Sequence, residues 1–465
     1  MLNPSIFKAY DIRGVYPDEL DEDAAFRVGQ AMVRFTGAKT VVVGRDARPS
    51  SPSLSDAFTR GVLSQGANVI DIGLVSTPMF YFAVGERDPR DAGAMITASH
   101  NPAKYNGIKL VRGDALPIGA ATGIYDLRDV ALAGPYPDQS AGRVVETSIK
   151  EAYLDRLFRD VEPGKIRPLK VVVDGGNGMA GAVIRDVFGR LPQCAVEYLY
   201  IEPDGSFPNH ESNPLKEETL ADLRRRVVDS GADFGVAFDG DADRVGFVDE
   251  RGEPVRGDVM HALLAARLLR KEPGALVVHT VNESRVVEEE VRRAGGRSLM
   301  APVGHGLVKP IMKREGALFG GEISMHYYFR DFYGSECTDF VMLLIMEAMS
   351  EDGPSSAEAT VGTPLSEIVR PLQRHFYSGE INSEVADRDA ALAAIKEKYA
   401  ALPGAEVSEI DGLRVSFRDA TRPAGEWWFS VRPSNTEPLL RLTVEADTRE
   451  VMETKRDELL RIIRG

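Results

Sequence analysis

One pattern occurs three times in the sequence: an apolar run that ends in a polar or glycine-containing loop and leads into a helix-like stretch. The runs cover residues 41–46, 171–176 and 276–280, and helical spacing follows, for example, at residues 54–65 and 283–294. A buried strand followed by a helix is the repeating unit of α/β folds. The recurrence predicts three related α/β domains in series. The alternative is that the recurrence has no such meaning, because any α/β protein has several such strands.

The pattern changes after about residue 365, where the sequence favours a small antiparallel α+β domain. Residues 386–401 and 449–463 have helical spacing, 440–444 alternate like a strand, and 410–413 form a predicted hairpin turn. Segments 133–138 and 351–356 resemble linkers, and the turn at 249–254 separates two further units. We therefore predict four domains, at residues 1–145, 146–252, 253–363 and 364–465.

The charge balance restricts the classes of partner. The 465 residues include 56 Lys and Arg against 71 Asp and Glu, a net charge of −15. Such a chain is not expected to coat nucleic acid or an anionic membrane, although a few converging cations still allow a small anionic substrate. Cys194 and Cys337 provide neither a disulfide framework nor a cysteine zinc site. Neither a signal peptide nor a membrane span is predicted, so we expect a cytoplasmic protein. We also expect a monomer or weak dimer.

Three carboxylates alternate in the segment Asp239-Gly240-Asp241-Ala242-Asp243-Arg244. In a loop, their oxygens can converge on one hard divalent cation. A solvated acidic turn is one alternative, and an EF-hand is another, because carboxylates also fall at the spacing of its acidic ligands. However, Arg244 stands where that loop needs glycine, and the flanking residues 234–238 and 245–248 are typical of strands. We predict a metal site on a loop between two strands, with Arg244 placed to bind a phosphoryl oxygen.

A second polar segment, Thr97-Ala98-Ser99-His100-Asn101-Pro102, follows the strand-like residues 93–96. A serine beside a histidine is compatible with a hydrolase, but the Gly-x-Ser-x-Gly elbow is missing, and side chains adjacent in sequence seldom face each other. In isolation the segment is typical of a loop with a turn before proline. Together with the carboxylate loop it indicates that Ser99 is phosphorylated, with Lys109 as its charge partner.

Gly176, Gly178 and Gly181 form a Gly-x-Gly-x-x-Gly loop after a predicted strand, and Glu202 follows about 20 residues later. This spacing is typical of dinucleotide-binding folds, so a nicotinamide-dependent dehydrogenase is a second hypothesis. The loop nevertheless lies mid-chain, in one of three similar units, and leads into the carboxylate segment. A phosphate site or a tight strand-to-helix turn requires the same glycines.

Two further clusters contain donors that suit a phosphorylated sugar. Residues 320–326 bring Glu322, Ser324 and His326 together after two glycines, and this set can hydrogen-bond sugar hydroxyls. Near the C-terminus, a guanidinium, two hydroxyls and an amide fall within five residues, which suits a phosphate clamp. The residues of that clamp are Arg432, Ser434, Asn435 and Thr436. Each cluster alone is also compatible with an ordinary polar turn.

In this order, the motifs resemble the α-D-phosphohexomutases, specifically the phosphomannomutase/phosphoglucomutase branch. The resemblance covers nearly the whole chain. It begins at residues 7–14, includes 99–102 and 239–244, and continues through 304–305 and 321–326 to 432–436. It implies four domains around a deep cleft, the first three alike and the fourth different, an arrangement that the repeated pattern also predicts.

The resemblance also implies roles for individual residues. Ser99 would be the phosphoserine, and Mg²⁺ would be bound by an oxygen of that phosphoserine together with Asp239, Asp241 and Asp243. The implied reaction centre is lined by Tyr10, Arg13 and Lys109, and Arg244, beside the carboxylates, would help to neutralise charge there. The sugar would be held by His305, Glu322, Ser324 and His326. The distal phosphate would be held by Arg432, Ser434, Asn435 and Thr436.

The implied reaction is a reversible transfer of phosphate between O1 and O6 of a hexose, through a hexose 1,6-bisphosphate. Glucose 1,6-bisphosphate or an equivalent would prime Ser99. Met325 replaces a glycine usual in close relatives, and Asn282 stands where some have a substrate-contacting lysine. These departures leave the sugar open among mannose, glucose and glucosamine phosphates. A catalytically silent sugar-phosphate-binding protein is a further class to be tested.

Overall fold

The computed structural model describes residues 2–139, 142–351, 362–418, 425–433 and 439–465. These residues form two compact units, each assembled from separate stretches of the chain. The first comprises Met1–Gly257, His305–Gly320 and Ser324–Ile368, and the second comprises Asp258–Gly304, Gly321–Ile323 and Val369–Gly465. The predicted linker at 351–356 lies outside the described residues from 352 onward.

The α-helices alternate with strands over most of the chain, as the repeated pattern predicts. In chain order they are α1 Glu22–Thr36, α2 Ser51–Ser64, α3 Thr77–Gly85, α4 Ile124–Ala133, α5 Lys150–Leu157, α6 Ile184–Gly189, α7 Ala221–Ser230, α8 Gly257–Lys271, α9 Val286–Arg293, α10 His305–Glu315, α11 Thr338–Ser350, α12 Leu365–Val369, α13 Arg388–Ala400 and α14 Arg449–Arg464. Within the described ranges, none of these helices is both long and apolar enough to cross a membrane.

The strands are short, and many are rich in β-branched residues. In chain order they are β1 Ile12–Val15, β2 Thr40–Arg45, β3 Asn68–Leu74, β4 Ala92–Ile96, β5 Tyr105–Arg112, β6 Val144–Glu146, β7 Lys170–Asp174, β8 Ala195–Leu199, β9 Phe234–Phe238, β10 Val245–Asp249, β11 Pro254–Val255, β12 Leu276–Thr280, β13 Arg297–Ala301, β14 Phe319–Gly321, β15 Tyr327–Phe329, β16 Ser335–Glu336, β17 Phe376–Tyr377, β18 Ile381–Glu384, β19 Ala405–Ser408, β20 Leu413–Phe417, β21 Trp427–Pro433 and β22 Leu439–Ala446.

The first sheet belongs to the first unit and has the strand order β1-β5-β4-β2-β3-β6. Strands β4, β2, β3 and β6 run parallel, whereas β5 is antiparallel to both β1 and β4. Val41, Val42 and Val43 are fully buried, as expected for a central parallel strand covered on both faces. Because β2, β3 and β4 are parallel, the loops that follow them start at one edge of the sheet, the usual position of ligand sites in α/β folds.

The second sheet, also in the first unit, has the order β11-β10-β9-β7-β8. Strand β7 is parallel to β8 and β9, and β9 pairs antiparallel with β10 so that Phe238 lies opposite Val245. Every residue of β9 and β10 is buried. The carboxylate segment therefore occupies a strand-to-strand loop, which confirms the predicted strands and excludes the helical flanks of an EF-hand.

The third repeat forms the parallel pair β12–β13, with helix α9 between the two strands in sequence. The predicted strand at 276–280 is confirmed. The predicted helix starts three residues later than expected, at Val286. Glu283 is used instead in the turn, because its Oε2 accepts the backbone N–H of Thr280 at 2.6 Å and the Thr280 hydroxyl at 3.1 Å.

The C-terminal sheet has the order β17-β22-β21-β20-β19, with β18 also paired to β22, and all its pairs are antiparallel. Ile395 and Tyr399 of α13 and Leu459 of α14 belong to the same buried cluster as Val415 and Phe429 of the sheet. The α+β character predicted for the tail is confirmed.

Candidate active site

The loop between β9 and β10 gathers three buried carboxylates in the first unit. Asp239, Asp241 and Asp243 are each at most 1% exposed, and one ligand oxygen from each lies within 4.8 Å of the others. Asp239 Oδ1 accepts the backbone N–H of Arg244 at 3.1 Å, and the Asp239 carbonyl accepts the N–H of Ala242 at 3.0 Å. These bonds close a tight loop in which the three alternating carboxylates converge.

Two oxygens of this cluster, Asp241 Oδ1 and Asp243 Oδ1, are buried and have no hydrogen-bond partner in the described part of the chain. A buried carboxylate oxygen without a partner is costly, and a hard divalent cation satisfies it. An all-oxygen donor set is also the set that Mg²⁺ prefers. The residues present therefore fit a divalent metal ion.

Ser99 lies beside this cluster, in the loop that follows strand β4. Its Oγ donates to Asp239 Oδ2 at 2.7 Å and lies 3.1 Å from His100 Nδ1. Ser99 adopts φ = +49°, a left-handed conformation that is uncommon for residues other than glycine. The structure thus places the predicted phosphoserine against the predicted metal ligands, although 140 positions separate Ser99 from Asp239.

Lys109, on strand β5, balances part of the negative charge. Its Nζ lies 2.8 Å from Asp241 Oδ2 and is also paired with Asp243. Burial by itself would lower the pKa of Lys109, but the two carboxylates outweigh burial and raise that pKa well above its ordinary value. The ammonium group therefore remains charged at physiological pH.

The carboxylates themselves are held in unequal environments. Burial, together with Asp243 and Asp241, raises the pKa of Asp239 well above its ordinary value. Burial would also raise the pKa of Asp243, but Lys109, followed by His326 and Arg244, outweighs burial and holds the pKa of Asp243 well below its ordinary value. Like charges at this distance disfavour simultaneous ionisation, and a bound cation relieves their repulsion.

Two arginines adjoin the cluster. Arg244 follows the last carboxylate, and its Nε donates to His326 Nε2 at 3.0 Å. Arg13, on β1, pairs with Asp11 at 2.6 Å and donates from Nη1 to Asn101 Oδ1 at 3.4 Å. Both guanidinium groups are thereby oriented beside the loops that contain Ser99 and the carboxylates.

A row of rings continues from these cations. The centroids of Tyr10 and His305 are 5.5 Å apart, those of His305 and His326 are 5.9 Å apart, and Tyr328 stacks on His326 at 6.1 Å. Burial, followed by the nearby lysine Lys309, lowers the pKa of His305 well below its ordinary value. A neutral imidazole has one donor and one acceptor, which suits a sugar hydroxyl.

The glycine loop after β7 packs against the carboxylate loop. A Cβ atom at Gly178 would lie 2.9 Å from the carbonyl oxygens of both Asp239 and Gly240. The next residue, Met179, donates its backbone N–H to the Gly240 carbonyl at 2.9 Å. Close approach of two backbones therefore accounts for glycine at 178, without reference to a dinucleotide.

Comparison with known proteins identifies the family. Models described as phosphoglucomutase/phosphomannomutase alpha/beta/alpha domains I, II and III match residues 4–128, 151–252 and 256–373, and the model of the C-terminal domain matches residues 380–462. A phosphomannomutase of Salmonella montevideo is 40% identical over 472 residues, with 100% of each chain covered. The chain belongs to the phosphoglucomutase/phosphomannomutase family.

Other relatives agree with this assignment. Phosphohexose mutases of Xanthomonas campestris pv. campestris are 40% identical over 462 residues, with 99% of each chain covered. The crystal structure of a phosphoglucomutase/phosphomannomutase family protein from Burkholderia thailandensis superposes with a TM-score of 0.86 at 34% identity, covering 99% of this chain and 97% of that one. These findings confirm the resemblance that the motifs indicated. They also confirm the predicted α/β fold class, with three similar domains and a different C-terminal domain. The predicted enzyme class, a mutase among the isomerases, is confirmed as well.

Part of the predicted sugar site of this phosphohexomutase lies in the first unit. His305 and His326 adjoin the cluster as described above, and Ser324 is half-buried. Met325 is buried with φ = +67°, and its Sδ would lie 3.0 Å from a Cβ atom at Gly246. The side chain of Met325 is thus packed against strand β10.

Other predicted residues of the mutase lie in the second unit, where Glu322 is buried. Arg432 Nη1 donates to Asp411 Oδ2 at 3.0 Å, and its Nη2 donates to Glu380 Oε2 at 3.2 Å, so two carboxylates orient this guanidinium. Asn282 is buried and accepts a hydrogen bond from the Thr280 hydroxyl at 3.0 Å. Three predicted clamp residues lie outside the described residues: Ser434, Asn435 and Thr436.

Two residues that support the phosphohexomutase site were not predicted from the sequence. Thr77 Oγ1 donates to Asp241 Oδ2 at 2.7 Å, and Arg48 donates to backbone carbonyls of the loop that contains Ser99. Each residue follows a parallel strand of the first sheet. Since ligand contacts concentrate at the carboxyl ends of such strands, their position in the sequence was the signal that could have found them.

A buried ion pair was also missed. Lys309 pairs with Glu336, and the Lys309 ammonium lies 3.7 Å from the centre of the Tyr81 ring. Glu336 Oε1 in turn lies 3.4 Å from His326 Nδ1. The pair therefore contacts His326 from the side opposite the bond with Arg244, and both ring nitrogens of His326 face charged groups.

Proposed function

We propose that the protein interconverts hexose 1-phosphate and hexose 6-phosphate, as a phosphomannomutase/phosphoglucomutase, through phospho-Ser99 and a hexose 1,6-bisphosphate. The observation that supports this most is the hydrogen bond from Ser99 Oγ to Asp239 Oδ2 at 2.7 Å. It joins the hydroxyl to a cluster in which Asp241 and Asp243 each have a buried oxygen suited to a cation.

In the first half-reaction, the bond between phosphorus and Ser99 Oγ breaks as a bond from phosphorus to the free sugar hydroxyl oxygen forms; that hydroxyl loses its proton, and Ser99 Oγ gains one to become a hydroxyl again. The transition state of such a transfer is loose, so catalysis depends on positioning and on neutralisation of charge. Asp239, Asp241 and Asp243 are the residues that would hold Mg²⁺. When bound, Mg²⁺ supplies positive charge next to the oxygens of the transferred group. In the second half-reaction, the other phosphate of the bisphosphate returns to Ser99.

Three cations of the chain assist this transfer in the proposal. Lys109 remains charged because two carboxylates flank it, and it lies on β5, which pairs with β4, the strand that leads into the Ser99 loop. Arg13 is oriented by Asp11, and Arg244 by its bond to His326. Guanidinium groups fixed in this way are preorganised for phosphoryl oxygens, which lowers the cost of binding them.

The sugar and its second phosphate are assigned to the remaining predicted residues. Tyr10, His305 and His326 form a connected row of rings beside the cluster, and we assign sugar binding to them together with Glu322 and Ser324. We assign the non-reacting phosphate to Arg432, Ser434, Asn435 and Thr436. In this proposal the phosphoserine loop belongs to domain 1–145, the metal loop to 146–252, the sugar loop to 253–363 and the phosphate loop to 364–465.

Turnover measurements test the proposal directly. Mannose, glucose and N-acetylglucosamine 1-phosphates are supplied in turn, each primed with glucose 1,6-bisphosphate, and the 6-phosphate product is measured. We expect one or two hexoses to turn over, and intact-mass analysis of the primed enzyme to show one added phosphate. Ser99→Ala should lose both the added phosphate and the turnover, whereas Ser148→Ala, at an exposed serine in the first unit, should keep both.

The competing classes give different results in the same assays. Preference for N-acetylglucosamine or glucosamine 1-phosphate would instead indicate a phosphoglucosamine mutase of the same family. Binding of sugar phosphates without turnover or labelling would indicate a silent binding protein. Reduction of a nicotinamide cofactor without phosphate transfer would indicate the dehydrogenase.

A further inference from the structure

The guanidinium of Arg48 is surrounded by backbone carbonyls of a single loop. Nη2 donates to the carbonyl of Ser99 at 2.8 Å and to that of Asn101 at 2.6 Å. Nη1 donates to the carbonyls of Pro102 and Tyr105, each at 2.9 Å. One side chain therefore binds four carbonyls between residues 99 and 105, which we call the serine loop.

Arg48 is itself fixed in place. Its side chain is fully buried, and its Nε lies 3.2 Å from Asp46 Oδ2. The other oxygen of Asp46 accepts the backbone N–H of Arg48 at 3.0 Å and the hydroxyl of Ser51 at 2.5 Å. The ring of Phe207 lies 5.1 Å from the guanidinium carbon. A buried cation with a paired carboxylate and a packed ring has little freedom to move.

The serine loop has an evident need for such a residue. Residues 99–104 form turns and bends rather than a strand or helix, and the carbonyl of the buried Ser99 requires a donor. Ser99 in addition adopts φ = +49°, and such conformations persist only where the surroundings hold them. Lysine has three donors on a single nitrogen, whereas the planar guanidinium has five donors spread over three nitrogens. Only the latter can bind four carbonyls that lie on different sides.

We infer that Arg48 is a positioning residue for phosphoryl transfer: it holds the backbone of the serine loop so that Ser99 Oγ faces Asp239. The inference rests on the proposed function, because it gives Ser99 the role of phosphoryl carrier. Arg48 acts through the Ser99 carbonyl, and its hydrogen bonds reach neither Ser99 Oγ nor the carboxylates of Asp239, Asp241 and Asp243. Its loss should therefore reduce the rate of transfer and leave the binding of sugar phosphate nearly unchanged.

A matched control exists in the same unit. Arg156 is also buried, pairs with Asp160 at 2.7 Å, donates to the carbonyl of Asp331 at 2.8 Å, and has its guanidinium carbon 4.2 Å from the centre of the Phe332 ring. Its partners lie outside the serine loop and the carboxylate loop. Arg156→Lys removes a buried guanidinium with similar contacts, and it should lower the melting temperature without changing turnover.

The experiment compares Arg48→Lys with Arg156→Lys in the full-length enzyme. For Arg48→Lys we expect kcat to fall by about 100-fold, since a small misplacement of reacting groups has that effect. KM for the hexose 1-phosphate should stay within about threefold, because its binding residues are untouched. Phosphorylation of dephosphorylated enzyme by glucose 1,6-bisphosphate in a single turnover should slow by the same factor as kcat. In Arg48→Ala, added guanidinium ion should restore the rate saturably, and methylammonium should restore it less.

Each outcome separates the alternatives. If Arg48→Lys lowers only the melting temperature, as Arg156→Lys does, Arg48 has a purely structural role and the inference is wrong. If Arg48→Lys and Arg48→Ala do not fold, Asp46→Asn provides the second test. This variant keeps the Arg48 guanidinium but weakens the ion pair that fixes its orientation. An unchanged kcat in Asp46→Asn would overturn the inference. Absence of phosphate on Ser99 in the primed wild-type enzyme would refute the proposed function itself. Normal labelling of wild type with unaltered kinetics in the Arg48 variants would refute only the role of Arg48.

Discussion

A Cβ atom at Gly240 would lie 2.3 Å from the carbonyl oxygen of Ser99. That is closer than two such atoms can approach, so the carboxylate loop and the serine loop meet backbone to backbone only because residue 240 has no side chain. The same Ser99 carbonyl accepts the hydrogen bond from Arg48 at 2.8 Å. Hence the distance between Ser99, the proposed phosphoryl carrier, and the proposed metal ligands depends on the absence of a side chain at residue 240.

Gly240→Ala should push the two loops apart and reduce kcat by about 100-fold or more, because Ser99 Oγ would no longer reach Asp239. Steady-state kinetics and single-turnover labelling with glucose 1,6-bisphosphate measure the effect. Gly164→Ala is the control, since a Cβ atom there meets nothing within 4 Å. Kinetics of Gly240→Ala within twofold of wild type would show that the close contact has no functional consequence.

Thr77→Val should weaken activation by Mg²⁺ by about 10–100-fold, the usual effect of removing a hydrogen bond to a metal ligand. Thr77 is buried. Its Oγ1 donates to Asp241 Oδ2 at 2.7 Å, and its backbone N–H donates to the Asp241 carbonyl at 2.9 Å. Valine preserves the shape and the backbone bond but removes the hydroxyl. The Mg²⁺ concentration for half-maximal activity is the measurement, and Thr77→Ser should restore it. An unchanged Mg²⁺ requirement in Thr77→Val would mean that the hydroxyl does not orient the ligand.

Arg432→Ala should reduce kcat/KM for hexose 1-phosphate and hexose 6-phosphate alike. Asp411 and Glu380 hold the guanidinium in a fixed orientation, and a hydrogen bond between charged groups contributes about 1.5–3 kcal/mol, or about 10–100-fold. A clamp for the non-reacting phosphate serves both half-reactions, so the two losses should agree within a few-fold. Arg441→Ala, on the neighbouring strand and also paired with Glu380, is the control. A large loss for one substrate alone would contradict the shared clamp.

Asp339 should make the stability of the enzyme fall as the pH rises from about 4 to about 6. Burial raises the pKa of Asp339 to about 6, although its carboxylate accepts a hydrogen bond from the Tyr153 hydroxyl at 2.7 Å. The folded state therefore keeps a proton that the unfolded state has already released near its ordinary pKa, so rising pH favours unfolding until Asp339 ionises in the folded state as well. The shift of about two pKa units corresponds to about 3 kcal/mol.

Asp339→Asn removes this dependence, because asparagine has no proton to release. Relative to the variant, the wild type should lose stability between pH 4 and 6, with no further relative change above that range. Urea unfolding at several pH values gives the two free energies. Parallel curves for wild type and Asp339→Asn would mean that Asp339 titrates normally in the folded enzyme.

Much of the fold could be predicted from local pattern. The valine runs at 41–43 and 171–173 predict buried strands, and both strands are found, in β2 and β7. The alternation of acidic and small residues at 239–243 predicts a metal loop, since those carboxylates are close together wherever the loop lies. Boundaries were less predictable: helix α9 starts at Val286 because Glu283 caps the preceding turn with its side chain.

The supporting residues of the site could not be predicted in this way. Thr77 and Asp241 are 164 positions apart, and Arg48 and Ser99 are 51 apart. Hydrophobic periodicity specifies which face of a strand or helix is buried, but it contains no information on which two loops meet. That information resides in the topology of the sheets.

By itself, the sequence determined the chemistry available to this protein: a serine, three carboxylates, and the arginines and lysines that suit phosphate. Those residue types follow from the motifs, and so does the family. Only the tertiary structure decided the geometry. Parallel strands of the first sheet deliver Arg48, Thr77 and Ser99 to one edge, and Gly240 allows the carboxylate loop to contact Ser99 there. The physical reason is that hydrogen bonds and electrostatic effects act over a few ångströms, so their partners are set by the folded path of the chain and not by separation along it.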